Sequence, residues 1–235
     1  SKPYAFVSRP WELKKTETID VMDAIGSNIR VDARGGEVLR VLPRVNEDIN
    51  EEWISDKTRF SCDGLKRQRL DKPYVRRDGK LVPTTWDEAL EVVANKMKKV
   101  QPDAIAALAG DQCDAESMFA LKCLMTKLGV ENIDCRQDGA KIDADSRTGY
   151  VFNSTIAGIE EADAILLVGT NPRWEAPVLN ARIRKRWLET GLPIGLIGEE
   201  YDLTYDVNFI GNRATFLEQI LEDDHRFAKI LANAN

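Results

Sequence analysis

The sequence has one histidine, four cysteines and no CxxC pair, and that scarcity removes several familiar chemistries at once. Cys62, Cys113, Cys123 and Cys135 stand far apart, whereas a zinc site or an iron–sulfur cluster normally takes four Cys or His ligands at close, patterned spacing. They read as buried, reduced thiols, with a disulfide as the alternative. His225 is the sole histidine; it lies in a charged C-terminal helix and is expected to face solvent, so Ser-His-Asp and Cys-His catalysis have no evident base. No apolar run approaches the roughly 18 residues of a membrane helix, and the opening SKPYAFVSRPWELKK lacks the apolar core of a signal peptide. A basic excess is lacking too. Against 33 Lys and Arg stand 39 Asp and Glu, a formal net charge of -6 that argues against nonspecific nucleic-acid binding.

What is present is organised around residues 160–187, EEADAILLVGTNPRWEAPVLNARIRKRW. Ala164 to Val168 is an unbroken apolar run without the alternation of a half-exposed strand, which predicts a strand buried on both faces. Gly169 ends it, and Thr170-Asn171-Pro172 makes a tight turn in which Pro172 bars further ladder pairing. A helix is expected from about Pro177 to Glu189 and a second strand at Pro193 to Ile197, together a βαβ unit. Ligands of open parallel sheets sit beyond the carboxyl ends of the strands, so Gly169, Thr170, Asn171 and Pro172 form the first candidate binding loop. That loop has neither GxGxxG spacing nor a GK[ST] lysine, and Pro172 lacks a donor where a phosphate would want one. The competing reading is that Asn171 caps the turn through its side chain. Arg182, Arg184, Lys185 and Arg186 mark the polar face of the helix, read as solvated, with an interdomain or subunit contact as the alternative.

Upstream, Asn28 to Ala33 and Glu37 to Leu42 alternate around Arg34-Gly35-Gly36 as a β-hairpin. Glu47 to Phe60 is acidic, with Trp53, Ile54 and Phe60 as its expected anchors, and Lys66 to Arg69 is a short basic run read as a solvated loop. Tyr74 to Val82 is a second hairpin with Asp78-Gly79 at its turn. Thr85 and Glu88 then open a helix as a capping box, with Trp86, Ala89, Leu90, Val93 and Met97 on one face. From Asp103 the pattern becomes strand, helix, strand: Ala104 to Ala109, Asp114 to Leu128 and Asn132 to Cys135. The charged loop Arg136 to Tyr150 is expected to be exposed, a ligand-binding lid being the alternative. A short strand at Val207 to Ile210 and two terminal helices close the chain. The fold class predicted is α/β, a doubly wound mostly parallel sheet over 73–235 preceded by a small β-rich subdomain over 1–72. Asp20 and Asp23 could be an acid/base pair, but nothing beside them in the sequence suggests a shifted pKa. No catalytic constellation emerges from the residues themselves.

Both the ADAILLVGTNPRWEAPVLNARIRK stretch and the segment running from ETIDVMDAIGSNIRV to SDKTRFSCDGLKRQRL resemble the large iron–sulfur subunit family of respiratory complex I, the G chain or 75 kDa type of NADH:quinone oxidoreductase. The resemblance implies a molybdopterin-oxidoreductase-like fold, cut from something longer, in keeping with a start that lacks Met. In that superfamily a CxxCxxxC motif and a later cysteine hold an iron–sulfur cluster. The matching positions here are Asp20, Asp23, Ser27 and Ser55, with Lys57-Thr58-Arg59-Phe60 matching the turn after the fourth ligand. None is cysteine, so no cluster is expected there. The loop Gly169-Thr170-Asn171-Pro172 corresponds to a pterin-side loop in active relatives and is expected to be vestigial. The resemblance thus implies a scaffold without cofactor or metal. The 2Fe–2S and 4Fe–4S clusters are expected in an N-terminal part outside these residues. Its partners would be other subunits of the complex I peripheral arm, with neither nucleic acid nor direct membrane insertion. Its place would be the cytoplasmic face of a bacterial inner membrane or the mitochondrial matrix side. The rival expectation is a pterin- or nucleotide-binding oxidoreductase domain using Gly169 to Pro172.

Overall fold

The computed structural model describes residues 4–110, 112–135, 142, 145–222 and 225–234. In chain order the elements are β1 (Lys14–Ile19), β2 (Asn28–Arg34), β3 (Glu37–Pro43), α1 (Asp56–Phe60), β4 (Tyr74–Arg77), β5 (Lys80–Pro83), α2 (Trp86–Met97), β6 (Ala107–Leu108), α3 (Ala115–Lys127) and β7 (Ile133–Asp134). Then follow β8 (Ile165–Val168), α4 (Pro172–Glu175), α5 (Pro177–Thr190), β9 (Ile194–Ile197), β10 (Asn208–Gly211), α6 (Thr215–Leu221) and α7 (Arg226–Ala232). They fall into two compact units, one of Ser1–Arg67 with Val151–Asn235, the other Gln68–Tyr150.

In the first unit β1, β2 and β3 form an antiparallel sheet in that order, with Lys14 opposite Ala33 and Ile29 opposite Pro43. The β2–β3 hairpin follows from its alternation, and Gly35 takes φ +60° at the turn. β1 was not anticipated, because KKTETI is exposed along its whole length and offers no apolar period to read. The acidic stretch after β3 is anchored differently from the prediction. Trp53 and Phe60 are exposed, while Asn50 is fully buried. Its Oδ1 accepts the N–H of Asn28 at 2.9 Å, and its Nδ2 donates to the carbonyls of Arg44 at 3.0 Å and Trp53 at 3.1 Å. One buried amide therefore pins both ends of a loop whose aromatic residues face outward.

The second sheet of this unit is parallel, in the order β10-β9-β8, with Leu166 opposite Gly195 and Asn208 opposite Gly195 on the other side. The strand buried on both faces is β9, not β8 as predicted. Every residue of β9 is buried, whereas Val168 of β8 is 44 % exposed. Position explains the difference: β9 is central, and among the described residues no strand pairs with the outer edge of β8. Ile194 and Leu196 point to the α5 side and pack with Leu167, Ile183, Leu203 and Tyr205. The opposite face of the sheet carries Ile197, Ile210 and Phe227 with the helices α6 and α7. Gly195 lies between two residues of the first face, and a Cβ there would sit 2.7 Å from the Phe227 ring, so this strand tolerates no side chain at that point. Tyr205 donates to Asn180 Oδ1 at 2.8 Å and Asn180 Nδ2 to the Leu203 carbonyl at 3.1 Å, tying the chain after β9 to α5. Burial pushes the Tyr205 phenol well above its ordinary pKa.

The second unit holds the β4–β5 hairpin, with Asp78 and Gly79 both at positive φ as an Asp-Gly two-residue turn requires. Thr85 caps α2, its Oγ accepting the Glu88 N–H at 3.3 Å, but the Glu88 carboxylate turns to Thr84 and Arg77 and does not complete the box. Of the predicted α2 face only Met97 joins a core; Trp86, Leu90 and Val93 are exposed. β6 and β7 are parallel, two residues each and shorter than anticipated, joined through α3, whose N-cap Asp114 accepts the Ser117 N–H at 2.7 Å. Much of the predicted charged loop, including Asp138, Gly139, Lys141 and Asp143, lies outside the described residues. All four cysteines are free. Cys113 and Cys135 are exposed and the other two intermediate, which corrects the expectation of buried thiols: Cys62 and Cys123 sit on partly exposed helical turns, Cys113 precedes α3 and Cys135 follows β7. His225 caps α7, Nδ1 accepting the Phe227 N–H at 3.2 Å.

Candidate functional site

The turn between β1 and β2 and the start of α1 enclose the first candidate site. Asp20 is 4 % exposed; its Oδ1 accepts the Met22 N–H at 3.1 Å and its Oδ2 the Thr58 hydroxyl at 2.6 Å. Ser55, the N-cap of α1, accepts the Thr58 N–H at 3.1 Å, and its Oγ lies 2.8 Å from Thr58 Oγ1. Since the Thr58 proton is spent on the carboxylate, Ser55 donates in that second contact, giving a directed chain Ser55 to Thr58 to Asp20. Ser27, 1 % exposed, joins through its backbone carbonyl, which takes the Asp20 N–H at 2.8 Å. The structure thus brings Asp20, Ser27 and Ser55 together and adds Thr58, which sequence reasoning had placed only in a turn. Asp23 stands apart from the chain. Its Oδ1 accepts the Ile25 N–H at 3.1 Å, while Oδ2 is buried without a partner. Burial, reinforced by the charge of Asp20, raises the Asp23 carboxyl above its ordinary pKa, a shift that the sequence had not suggested.

The second candidate site is the loop leaving β8. The Gly169 N–H bonds to the Ile197 carbonyl at 2.8 Å, and Gly169 takes φ +59° as the chain turns away from the sheet. Pro172 opens α4, where its missing N–H costs nothing. Asn171 makes no side-chain cap, contrary to the reading from sequence; it is 9 % exposed, with Oδ1 buried and unpartnered. Glu175 does the capping. Its carboxylate accepts the Thr170 hydroxyl at 2.7 Å and the Asn171 N–H at 3.0 Å. Arg173 donates to both the carbonyl and the carboxylate of Asp202, at 2.7 and 2.8 Å. Glu199 and Glu200 follow β9 in the same unit. The donors a phosphate would use are therefore held by the chain's own acids.

The basic face of α5 is solvated only in part: Arg184 is exposed, but Arg182 is buried. Arg182 is 3 % exposed, donating to Glu160 Oε1 at 2.7 Å and to the Glu47 carbonyl at 2.5 Å. Lys185 bridges Glu51 at 2.6 Å and Glu160 at 2.9 Å, so the helix is fastened to the loop that Asn50 organises. Hydrogen bonding by Lys185, opposed by burial and aided by the charges of Lys185 and Arg182, holds the Glu160 carboxyl below its usual range.

Two family models and several curated proteins match the chain. Residues 69–235 match the model of the molybdopterin oxidoreductase family, and residues 13–63 match that of the NADH-ubiquinone oxidoreductase NDSU1/NuoG-like 4Fe-4S domain. The chain is 58% identical over 226 residues to the mitochondrial NADH-ubiquinone oxidoreductase 78 kDa subunit of Candida albicans, covering 94% of this chain and 31% of that one. It is 53% identical over 234 residues to an NADH-quinone oxidoreductase subunit of Rickettsia bellii, covering 100% of this chain and 34% of the relative. A potato protein named NADH dehydrogenase [ubiquinone] iron-sulfur protein 1, mitochondrial, is 53% identical over 235 residues, 100% and 32% of the two chains. The chain spans about a third of the length of these curated relatives.

Proposed function

The chain belongs to the molybdopterin oxidoreductase family, and from that membership we propose that it serves as a cofactor-free scaffold in the peripheral arm of an NADH:quinone oxidoreductase, complex I. The observation that carries this is the 53–58% identity, over nearly the whole chain, to proteins named as subunits of that enzyme. Its partners would then be other peripheral-arm subunits. Its setting would be the matrix or cytoplasmic side of the membrane, in keeping with the fact that no helix among the described residues is long and apolar enough to cross one.

The 4Fe–4S name of the matched domain raises the question of a cluster, and the residues present do not fit one. Clusters are held by soft thiolates; the four candidate positions here offer two carboxylates and two hydroxyls, and Asp20 and Ser55 are already committed to hydrogen bonds with Thr58. We therefore read 1–72 as a β-rich subdomain whose hydrogen-bond chain does the structural work of a cluster, and 73–235 as an α/β domain of doubly wound type. Clusters that carry electrons would lie outside these residues. A pterin or nucleotide at Gly169 to Pro172 is disfavoured by the carboxylate of Glu175 on the loop's donors. The test is purification of the tagged, full-length chain from its own cells in mild detergent. Co-elution with NADH:quinone oxidoreductase activity is expected, and recovery as a free soluble oxidoreductase would refute the proposal.

A further inference from the structure

We propose that Cys113 and Cys135 are a dithiol pair that oxidises to an intramolecular disulfide and clasps α3 to the end of the short β6–β7 sheet. Both are free and exposed, and they follow the carboxyl ends of the two neighbouring strands of one sheet. The parallel register pairs Leu108 with Asp134 and runs on through the Ala109 N–H, which bonds to the Asp134 carbonyl at 3.0 Å. Cys135, the residue after Asp134, is thereby placed beside Ala109, at the spacing of neighbouring strands, about 4.8 Å. On the other strand the Cys113 N–H returns to the Gly110 carbonyl at 3.2 Å, which keeps those two residues within about 7 Å and turns the chain back at the same end of the sheet. A disulfide spans Cα atoms about 4.4–6.8 Å apart, a step of the same size. Neither cysteine is held by the ladder. The Cys135 N–H goes to its neighbour's carboxylate, Asp134 Oδ1, at 2.7 Å, and Cys113 stands just before the N-cap of α3, so each is free to approach the other. The other two thiols are poorer partners: Cys123 lies within α3 itself, and Cys62 belongs to the other unit, where burial pushes its thiol up.

The reaction is thiol–disulfide exchange with a low-molecular-weight disulfide such as glutathione disulfide. One cysteine thiolate attacks the glutathione sulfur–sulfur bond, forming a mixed disulfide and releasing one glutathione. The second cysteine then attacks the protein sulfur of that bond, forming Cys113–Cys135 and releasing the other glutathione. The protein loses two electrons, glutathione disulfide gains them, and the two thiol protons leave on the two glutathiones. The ring so closed contains the whole of α3 and ties together two strands of two residues each, a pairing with little firmness of its own.

The inference stands apart from the scaffold reading. Its test is to incubate the full-length chain with glutathione disulfide, alkylate the remaining thiols and map the peptides by mass spectrometry without reduction. A Cys113–Cys135 cross-linked peptide is expected, reversed by dithiothreitol, with Cys62 and Cys123 recovered as alkylated thiols. Amide hydrogen exchange in β6, β7 and the first turn of α3 should slow about tenfold on oxidation of the wild type, and should not change in Cys113→Ser or Cys135→Ser. Three results would overturn the clasp: no cross-link, whether or not the thiols carry glutathione; pairing of either cysteine with Cys62 or Cys123 as readily as with the other; or a cross-link that leaves amide exchange unchanged.

Discussion

The two candidate sites satisfy themselves in opposite ways. Under the antiparallel sheet, Asp20 finds its partner Thr58 across 38 positions of sequence and out of contact with water. At the edge of the parallel sheet, Glu175 reaches partners only four and five positions away, and its bond to Thr170 is exposed. A buried long-range bond is part of what makes the fold, because losing it strands a desolvated group. An exposed local bond shapes a loop and little else. Changes in the first site should therefore be read as loss of stability, and changes in the second as altered binding with the fold intact.

The largest effect is expected where a charge network joins distant segments. Arg182→Ala leaves the Glu47 carbonyl without that donor and Glu160 with Lys185 as its remaining partner, and should cost about 3 kcal/mol by denaturant unfolding. Thr58→Val keeps the shape but removes the hydroxyl between Ser55 and Asp20; a loss of about 1–3 kcal/mol is expected. A loss no larger than that of Thr170→Val would erase the distinction between the two sites. The third effect is one of pH. Asp23 has a raised folded-state pKa, so as pH climbs from the unfolded value toward the folded one the unfolded chain releases its proton first and stability falls. Thermal melts of Asp23→Asn should lack that decline, and the variant's advantage should be greatest above the folded pKa. Asp32 provides an opposite control. It is fully buried, and although burial pushes its pKa up, Arg30 and Arg40 prevail and lower it, so its contribution is present above the ordinary carboxylate range and lost on acidification. The smallest effect is at the loop: Thr170→Val removes one exposed hydrogen bond and should shift stability by about 0.5–1 kcal/mol at most.

The same contrast explains what could be read from the sequence. Helices α3 and α5, the two hairpins and β9 announce themselves through caps, Asp-Gly or Gly-Gly turns and apolar runs, all of them local signals. β1 carries no apolar period, and Asn50 looks like any polar loop residue until its four-way hydrogen bonding is seen in space. Thr58 could not have been paired with Asp20 by any local rule. Glu175 could have been found, since an acid a few residues into a helix commonly reaches back to the N-cap N–H, and attention to Asn171 concealed it. The burial of Arg182 was not anticipated, because a run of basic residues on a helix usually faces water, and the groups that receive it, the Glu160 carboxylate and the Glu47 carbonyl, lie 22 and 135 positions away.

The central claim is that this family member carries no redox cofactor in these residues. Iron, molybdenum and tungsten content, with released pterin, on the anaerobically purified chain tests it most directly. The account predicts values near zero for all four. Iron near about four atoms per chain would mean that the oxygen donors around Asp20 do hold a cluster, and stoichiometric molybdenum or tungsten with pterin would return the loop at Gly169 to Pro172 to catalysis.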